Sequence, residues 1–321
     1  MPLIKSSDYK PPVFIRNRHF LTIYPSLFRN IKSITYARTR VETPDHDFID
    51  LDFSSKGHKR IVILLHGLEG SSNSNSVTGM VNVFNHGSYD TVSVNFRGCS
   101  GEPNKELRYY HSGETDDLGF VVKYIHSLNK YNSIHIVGFS MGGNILLKYL
   151  GEQSQAAHGI IKSAVALSVP CDLKEGATEM GKKHNIMYMK RFIKELEQKL
   201  LIKKDLFPER INLDNYKLVK NFKQFDELYT APINGFKSAE DYWEKSSSLQ
   251  FLSRIKVPTL LINALDDPFL GKKCFPYEEA RNSEHFFLET PLHGGHVGFM
   301  DINNKFYWSE RRALAFINEM Q

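Results

Sequence analysis

The segment Ser133-Ile134-His135-Ile136-Val137-Gly138-Phe139-Ser140-Met141-Gly142-Gly143-Asn144 constrains the fold of this chain more than any other. A short apolar, β-branched run gives way to Gly-x-Ser-x-Gly, and an apolar helical pattern, Ile145-Leu146-Leu147-Lys148-Tyr149-Leu150, follows at once. Strand, tight turn and helix is the context in which Gly-x-Ser-x-Gly presents its serine as a nucleophile. The glycines have a mechanical role. Strand and helix approach closely at such a turn, and the backbone is forced into conformations that a Cβ resists. The pentapeptide alone is equally compatible with an ordinary strand-to-helix connection that carries a serine, so the decision falls to the rest of the chain.

Residues 1–32 form an aromatic-rich arm with little periodicity, expected to pack against the core as a loop or short helix. Residues 34–42 and 48–53 read as a hairpin joined through the turn-forming cluster Thr43-Pro44-Asp45-His46-Asp47. Apolar strand signals then recur at Arg60–Leu65, Thr91–Phe96, Ser133–Val137 and Ser163–Val169, with room for a helix between successive ones. The segment from Thr115 to Leu128 reads as a helix whose first turn carries Asp116 and Asp117, which suits the positive end of its dipole. This alternation predicts an α/β fold, a mostly parallel sheet with helices on both faces.

At Pro170 the rhythm stops. Residues 171–254 show no strand pattern but several amphipathic stretches, one presenting Met189, Phe192, Ile193, Leu196 and Leu200 on a single helix face. Another runs through Val219, Phe222, Phe225 and Tyr229. Strand signals resume at Pro258–Asn263 and His285–Glu289, and a last helix is expected from Phe306 to Glu319. The predicted organisation is a core of residues 1–170 and 255–321 interrupted by a helical lid at 171–254.

Composition removes several function classes. A net charge of +5 spread over 321 residues gives no case for a nucleic-acid partner without a concentrated basic patch. Cys99, Cys171 and Cys274 are odd in number and far apart, so neither a disulfide framework nor a metal-ligand spacing is expected. The first residues lack the apolar stretch of a signal peptide, and no apolar run approaches the roughly 20 residues of a bilayer-spanning helix. A cytoplasmic, reduced protein is the expectation.

A serine hydroxyl is a poor nucleophile unless a base takes its proton and an acid orients that base. The strand Leu260-Leu261-Ile262-Asn263 runs into Ala264-Leu265-Asp266-Asp267-Pro268, which places carboxylates at a strand's carboxyl end. The strand at 285–289 runs into Thr290-Pro291-Leu292-His293-Gly294-Gly295-His296, a glycine-rich loop presenting histidines. The reading takes Ser140 as nucleophile, His296 as base and Asp267 as the orienting acid. Neighbouring side chains leaving a strand face opposite ways, and Pro268 restricts Asp267 to extended conformations. Asp266 is then a loop-stabilising residue, and Asp172, the other possible acid, is read as a helix N-cap. Two backbone amides, Leu68 and Met141, are expected to hold the oxyanion, with His66 positioning the loop His66-Gly67-Leu68-Glu69-Gly70. His293 and His296 have H-x-x-H spacing, but the glycines between them argue against the helix that a zinc pair needs.

These blocks resemble the α/β-hydrolases of the YheT-like esterase family. So do Arg16-Asn17-Arg18-His19, the run from Asn95 to Asn104 and His111-Ser112-Gly113-Glu114-Thr115-Asp116-Asp117. The resemblance extends from the arm to about residue 300, with Arg18 and Leu21 standing where glycine and glutamine are expected. It implies hydrolysis of small-molecule carboxylic esters, short- to medium-chain or lipid-like, through an acyl-serine, with no metal or organic cofactor. The rival readings are an acyltransferase that passes the acyl group to an alcohol and a non-catalytic ligand-binding protein on the same fold. The segment 182–204 carries eight Lys or Arg residues (Lys182, Lys183, Lys190, Arg191, Lys194, Lys199, Lys203, Lys204). By default these form a solvated helix face; the sharper reading is docking to an anionic membrane or acyl carrier.

Overall fold

The computed structural model describes residues 3–4, 6–29, 31 and 34–320, so residues 1–2, 5, 30 and 32 of the arm lie outside the described residues. The strands, in chain order, are β1 (Leu3–Ile4), β2 (Ala37–Glu42), β3 (Phe48–Ser54), β4 (Arg60–Leu65), β5 (Asp90–Asn95), β6 (Ser133–Phe139), β7 (Ile161–Leu167), β8 (Thr259–Ile262) and β9 (Phe286–Glu289). They form one sheet in the order β1-β9-β8-β7-β6-β4-β5-β3-β2. Every pairing is parallel except those of β3, which runs antiparallel to both β2 and β5.

The helices are α1 (Arg18–Phe28), α2 (Asn75–His86), α3 (Asp116–Ser127), α4 (Met141–Ile160), α5 (Leu173–Met180), α6 (Ile186–Leu206), α7 (Phe222–Phe225), α8 (Ala231–Ile233), α9 (Ala239–Ser246), α10 (Tyr277–Arg281) and α11 (Trp308–Glu319). The alternation of side chains along a strand decides which helices cover which face. In β4, Ile61, Ile63 and Leu65 join the apolar cluster of α3 and α4, whereas Val62 and Leu64 join that of α2 and α11. A strand covered on both faces has no polar side to show, which is why β4 reads Ile-Val-Ile-Leu-Leu after its first residue.

The expected α/β class is the observed one. The hairpin forms with Ala37 opposite Phe53 and Glu42 opposite Phe48, and its turn is closed by the Thr43 amide on the Asp47 carbonyl at 3.0 Å. Beneath that turn lies the guanidinium of Arg97, 2 % exposed, which bonds Asp117 at the start of α3 as well as Asp45 and Asp47. This buried network fastens the loop after β5 to both hairpin and helix.

Two elements depart from expectation. The arm begins as a strand, β1, pairing parallel with β9 at the sheet edge, before it turns into α1. Two residues show no alternation that a sequence pattern can reveal. Within 171–254 the described residues contain no strand, as expected, but the Val219–Tyr229 stretch is not one helix. Asn221 caps the four-residue α7 through the Gln224 amide, a π-helical turn spans Asp226–Thr230, and Pro232 offers no N–H to continue the ladder.

Candidate active site

Ser140 stands between β6 and α4 with φ 50° and ψ −117°, a backbone conformation that costs a non-glycine residue roughly 1–3 kcal/mol. Close packing holds it there. A Cβ on Gly138 would sit 2.6 Å from the Gly142 carbonyl oxygen. One on Gly142 would sit 2.7 Å from the Leu65 carbonyl oxygen and nearer still to that of His66. The Ser140 amide donates to the Leu167 carbonyl at 2.8 Å, so the turn is tied to the neighbouring strand β7.

The His293–Phe299 loop brings His296 to this serine, with Nε2 2.9 Å from Ser140 Oγ. Nδ1 lies 2.9 Å from one oxygen of Asp267 and 3.2 Å from the other. Donation from Nδ1–H to the carboxylate leaves Nε2 free to accept the serine proton. The Asp267 side chain is fully buried and also accepts the Phe269 amide at 2.9 Å, while the Phe269 ring packs over His296 with centroids 4.2 Å apart. Asp266 faces the other way, accepting the Gly295 amide at 2.9 Å and meeting His293 Nδ1 at 3.3 Å. Burial raises its pKa above the ordinary carboxylate value. Asp172 caps α5 through the Glu175 amide at 2.9 Å.

Sequence reasoning missed Thr22. Its hydroxyl accepts the His296 amide at 2.9 Å and donates to the Arg18 carbonyl at 2.7 Å. The loop lies so close to α1 that a Cβ on Gly295 would meet the Arg18 carbonyl oxygen at 2.7 Å. The arm is therefore a brace for the histidine loop; the Asn17 cap of α1 was a local signal for the helix but not for this contact. Asn263 was likewise read only as a strand end. It clamps that end, accepting the Val169 amide and donating to the carbonyls of Val169 and Cys274.

The loop after β4 passes over the nucleophile, and a Cβ on Gly67 would lie 3.3 Å from Ser140 Cβ. His66 is 1 % exposed and accepts the Phe96 amide on Nε2, so Nδ1 carries the proton and donates to the Gly67 carbonyl at 2.7 Å. Burial pushes its pKa down to about 4, which keeps the ring neutral. In a trans peptide the carbonyl and the next N–H point opposite ways, so fixing the Gly67 carbonyl also fixes the direction of the Leu68 N–H. Neither the Leu68 nor the Met141 amide has a hydrogen-bond partner among the described residues. Both residues line the cavity into which Ser140 opens.

That cavity, of about 810 Å³, lies between the carboxyl ends of the strands and the helices of 171–254. Phe192, Leu196, Phe222 and Phe225 reach it from the insertion. The basic segment is not the uniform solvated face its composition suggested. Lys199 turns inward to Glu69 at 3.1 Å and Cys99 at 3.0 Å, and Lys203 is 1 % exposed with its ammonium on the carbonyls of Asn104 and Glu106. Acceptors on the loops after β4 and β5 recruit these two cations, and charge counting cannot tell which face of a helix a lysine occupies.

A family model described as the α/β hydrolase fold matches residues 60–301. YheT of Escherichia coli (strain K12), a protein named for esterase activity, is 35% identical over 92% of this chain and 88% of its own length. The chain belongs to the YheT-like family of α/β-hydrolases. Among this hydrolase's further relatives, the phospholipase ABHD3 of Mus musculus is 26% identical over 93% of this chain and 74% of its own. The monoacylglycerol lipase of Saccharomyces cerevisiae is 29% identical over 81% and 60%. An esterase structure from Pyrococcus furiosus superposes on the hydrolase with a TM-score of 0.61 and 19% identity, covering 90% of this chain and 94% of that one, a likeness of fold. No helix among the described residues is long and apolar enough to cross a membrane.

Proposed function

We propose that this hydrolase cleaves carboxylic esters through an acyl-serine, with Ser140 as nucleophile, His296 as general base and then acid, and Asp267 as the residue that orients His296. The observation that carries this reading is the unbroken line Ser140 Oγ, His296 Nε2, His296 Nδ1, Asp267 carboxylate, with 2.9 Å at both joints. Esterase, lipase and phospholipase names among the relatives support the reaction class. His296 takes the Ser140 proton as Oγ attacks the ester carbonyl, and the Leu68 and Met141 amides receive the oxyanion. The protonated imidazole then gives its proton to the leaving alcohol, and water repeats the sequence on the acyl-enzyme.

The helices of 171–254 act as the lid of this site, and their aromatic side chains shape an acyl pocket. At the rim of the cavity, Leu27 of α1 and Met187 and Arg191 of α6 are exposed, and Phe20, Phe28, Lys182, Lys183, Lys190 and Lys194 are exposed nearby. His19 stacking on Tyr188 joins the two helices. This apolar and basic rim supports peripheral contact with an anionic lipid surface. Co-sedimentation with anionic but not zwitterionic vesicles is the expected result.

A chain-length series of p-nitrophenyl esters tests the reaction and its range together. Turnover in the wild type and its loss by roughly 10⁴–10⁶ in Ser140→Ala are expected. Undiminished esterase activity in Ser140→Ala would remove the serine mechanism. An added alcohol that diverts the acyl group from acid to ester product would move the assignment to acyl transfer.

A further inference from the structure

The loop after β5 places Tyr109 in the wall of the cavity, 3 % exposed, and its hydroxyl has no hydrogen-bond partner among the described residues. Other tyrosines of the same cavity differ. Tyr110 donates to Glu69, Tyr242 accepts the Ser112 amide at 3.0 Å, and Tyr188 meets His19 Nδ1 at 3.1 Å. A buried hydroxyl without a partner costs roughly 1–3 kcal/mol, where a phenylalanine of the same shape avoids the cost. An oxygen kept at that expense calls for a partner from outside the protein, substrate or water.

The same cavity holds a second polar group in an apolar setting. Asp226, on the π-helical turn of the insertion, is buried and lines the same cavity. Its oxygens each take one donor, the Thr230 hydroxyl at 2.7 Å and the Trp243 indole N–H at 2.8 Å. Two carboxylate oxygens offer about four lone pairs, so capacity for another donor remains. Around the pair the cavity is largely apolar, with Phe225, Met180 and Leu196 among its walls.

A free hydroxyl donor and an acceptor carboxylate lining one cavity are both served by one simple group, a hydroxyl, which can accept from the first and donate to the second. A methylene there would leave both unpaired. We propose that Tyr109 and Asp226 form a hydroxyl-recognising subsite, so that the esters preferred by this cavity carry a hydroxyl on the chain that enters it. The proposal rests on the ester-hydrolase reading of Ser140 and adds the substrate class to it.

Matched p-nitrophenyl esters of ω-hydroxy and unsubstituted acids, from six to twelve carbons, move the hydroxyl stepwise through the cavity. At one length or more, kcat/KM should favour the hydroxy ester by at least about tenfold, the worth of one net hydrogen bond of about 1.4 kcal/mol. Tyr109→Phe should bring the ratio near one, and Asp226→Asn should lower it. Because only an unpaired oxygen is removed, Tyr109→Phe should melt no lower than the wild type. A ratio at or below one at every length overturns the subsite, as does a ratio that Tyr109→Phe leaves unchanged, which would mean that water satisfies the phenol. Calorimetric titration of Ser140→Ala with the matched methyl esters reads the subsite without turnover. Tenfold tighter binding of a hydroxy ester supports it even if the wild type hydrolyses nothing, and equal affinities reject it even if hydrolysis is real.

Discussion

At the sheet end of the cavity, Ser140, His296 and Asp267 are joined in one hydrogen-bonded line, and backbone packs against backbone so tightly that Gly138 and Gly142 have no room for a Cβ. The wall made by the insertion and the loop after β5 is built from aromatic rings, with a carboxylate that can take further donors and a phenol oxygen that has no partner among the described residues. On the proposed function, the contrast separates two jobs. Chemistry that is the same for every ester needs fixed geometry, which the sheet supplies through short strands and glycine contacts. Selection among esters needs a wall whose polar groups wait for the substrate. Substitutions at the sheet end should therefore lower turnover of all esters alike, and those at the other wall should re-rank them.

The largest effect that could break this division is at the acid. Asp267→Asn should lower kcat by roughly 10⁴ on every ester while the melting temperature stays near wild type, because asparagine favours the wrong histidine tautomer. Asp266→Asn should instead cost about 1 kcal/mol of stability through the lost bond to the Gly295 amide. Paired kinetics and thermal unfolding of the two variants distinguish them, and the reverse pattern would exchange their roles. Next comes the brace. Thr22→Val deprives the His296 amide of its partner and should lower kcat about tenfold on short and long esters equally. A change confined to long chains would make α1 part of the selecting wall.

What could be read in advance divides along the same line. Long β-branched runs announced β4 to β7, and the glycines around Ser140, the Asp266-Asp267-Pro268 turn and the His293–His296 loop each stood at a strand end. Local pattern is enough for such features because each is fixed by its immediate neighbours. Thr22 was out of reach because its partner lies 274 residues away, and β1 because two residues carry no period. The inward turn of Lys199 and Lys203 depends on which acceptors the loops after β4 and β5 leave open, which no single helix pattern encodes. Tyr109 and Asp226 passed unread for the same reason: an unpaired atom is a property of the assembled cavity.

On the selecting wall the effects should be smaller. Phe222→Ala or Phe225→Ala should shift chain-length preference by about tenfold in kcat/KM while acetate esters are little affected, and an equal loss on both would mark the insertion as support alone. The smallest effect concerns pH. Burial raises the pKa of Asp226 to about 7, far above an unfolded aspartate near 3.8. The unfolded chain therefore gives up this proton first, and the favourable contribution, full below about pH 4, is lost as pH rises through about 7. Asp226→Asn should melt above wild type at pH 8 and by a smaller margin, or not at all, at pH 5. A pH-independent difference would show that the carboxylate is not desolvated in the folded protein.

The central claim is that one serine, activated by His296, carries the reaction. Labelling with a fluorophosphonate followed by peptide mass spectrometry reads this directly, since the reagent needs an activated hydroxyl and not a good substrate. The account predicts a single modified residue, Ser140, with labelling abolished in Ser140→Ala and strongly slowed in Asp267→Asn. Modification at another residue, or no labelling of a folded wild-type protein, would contradict it.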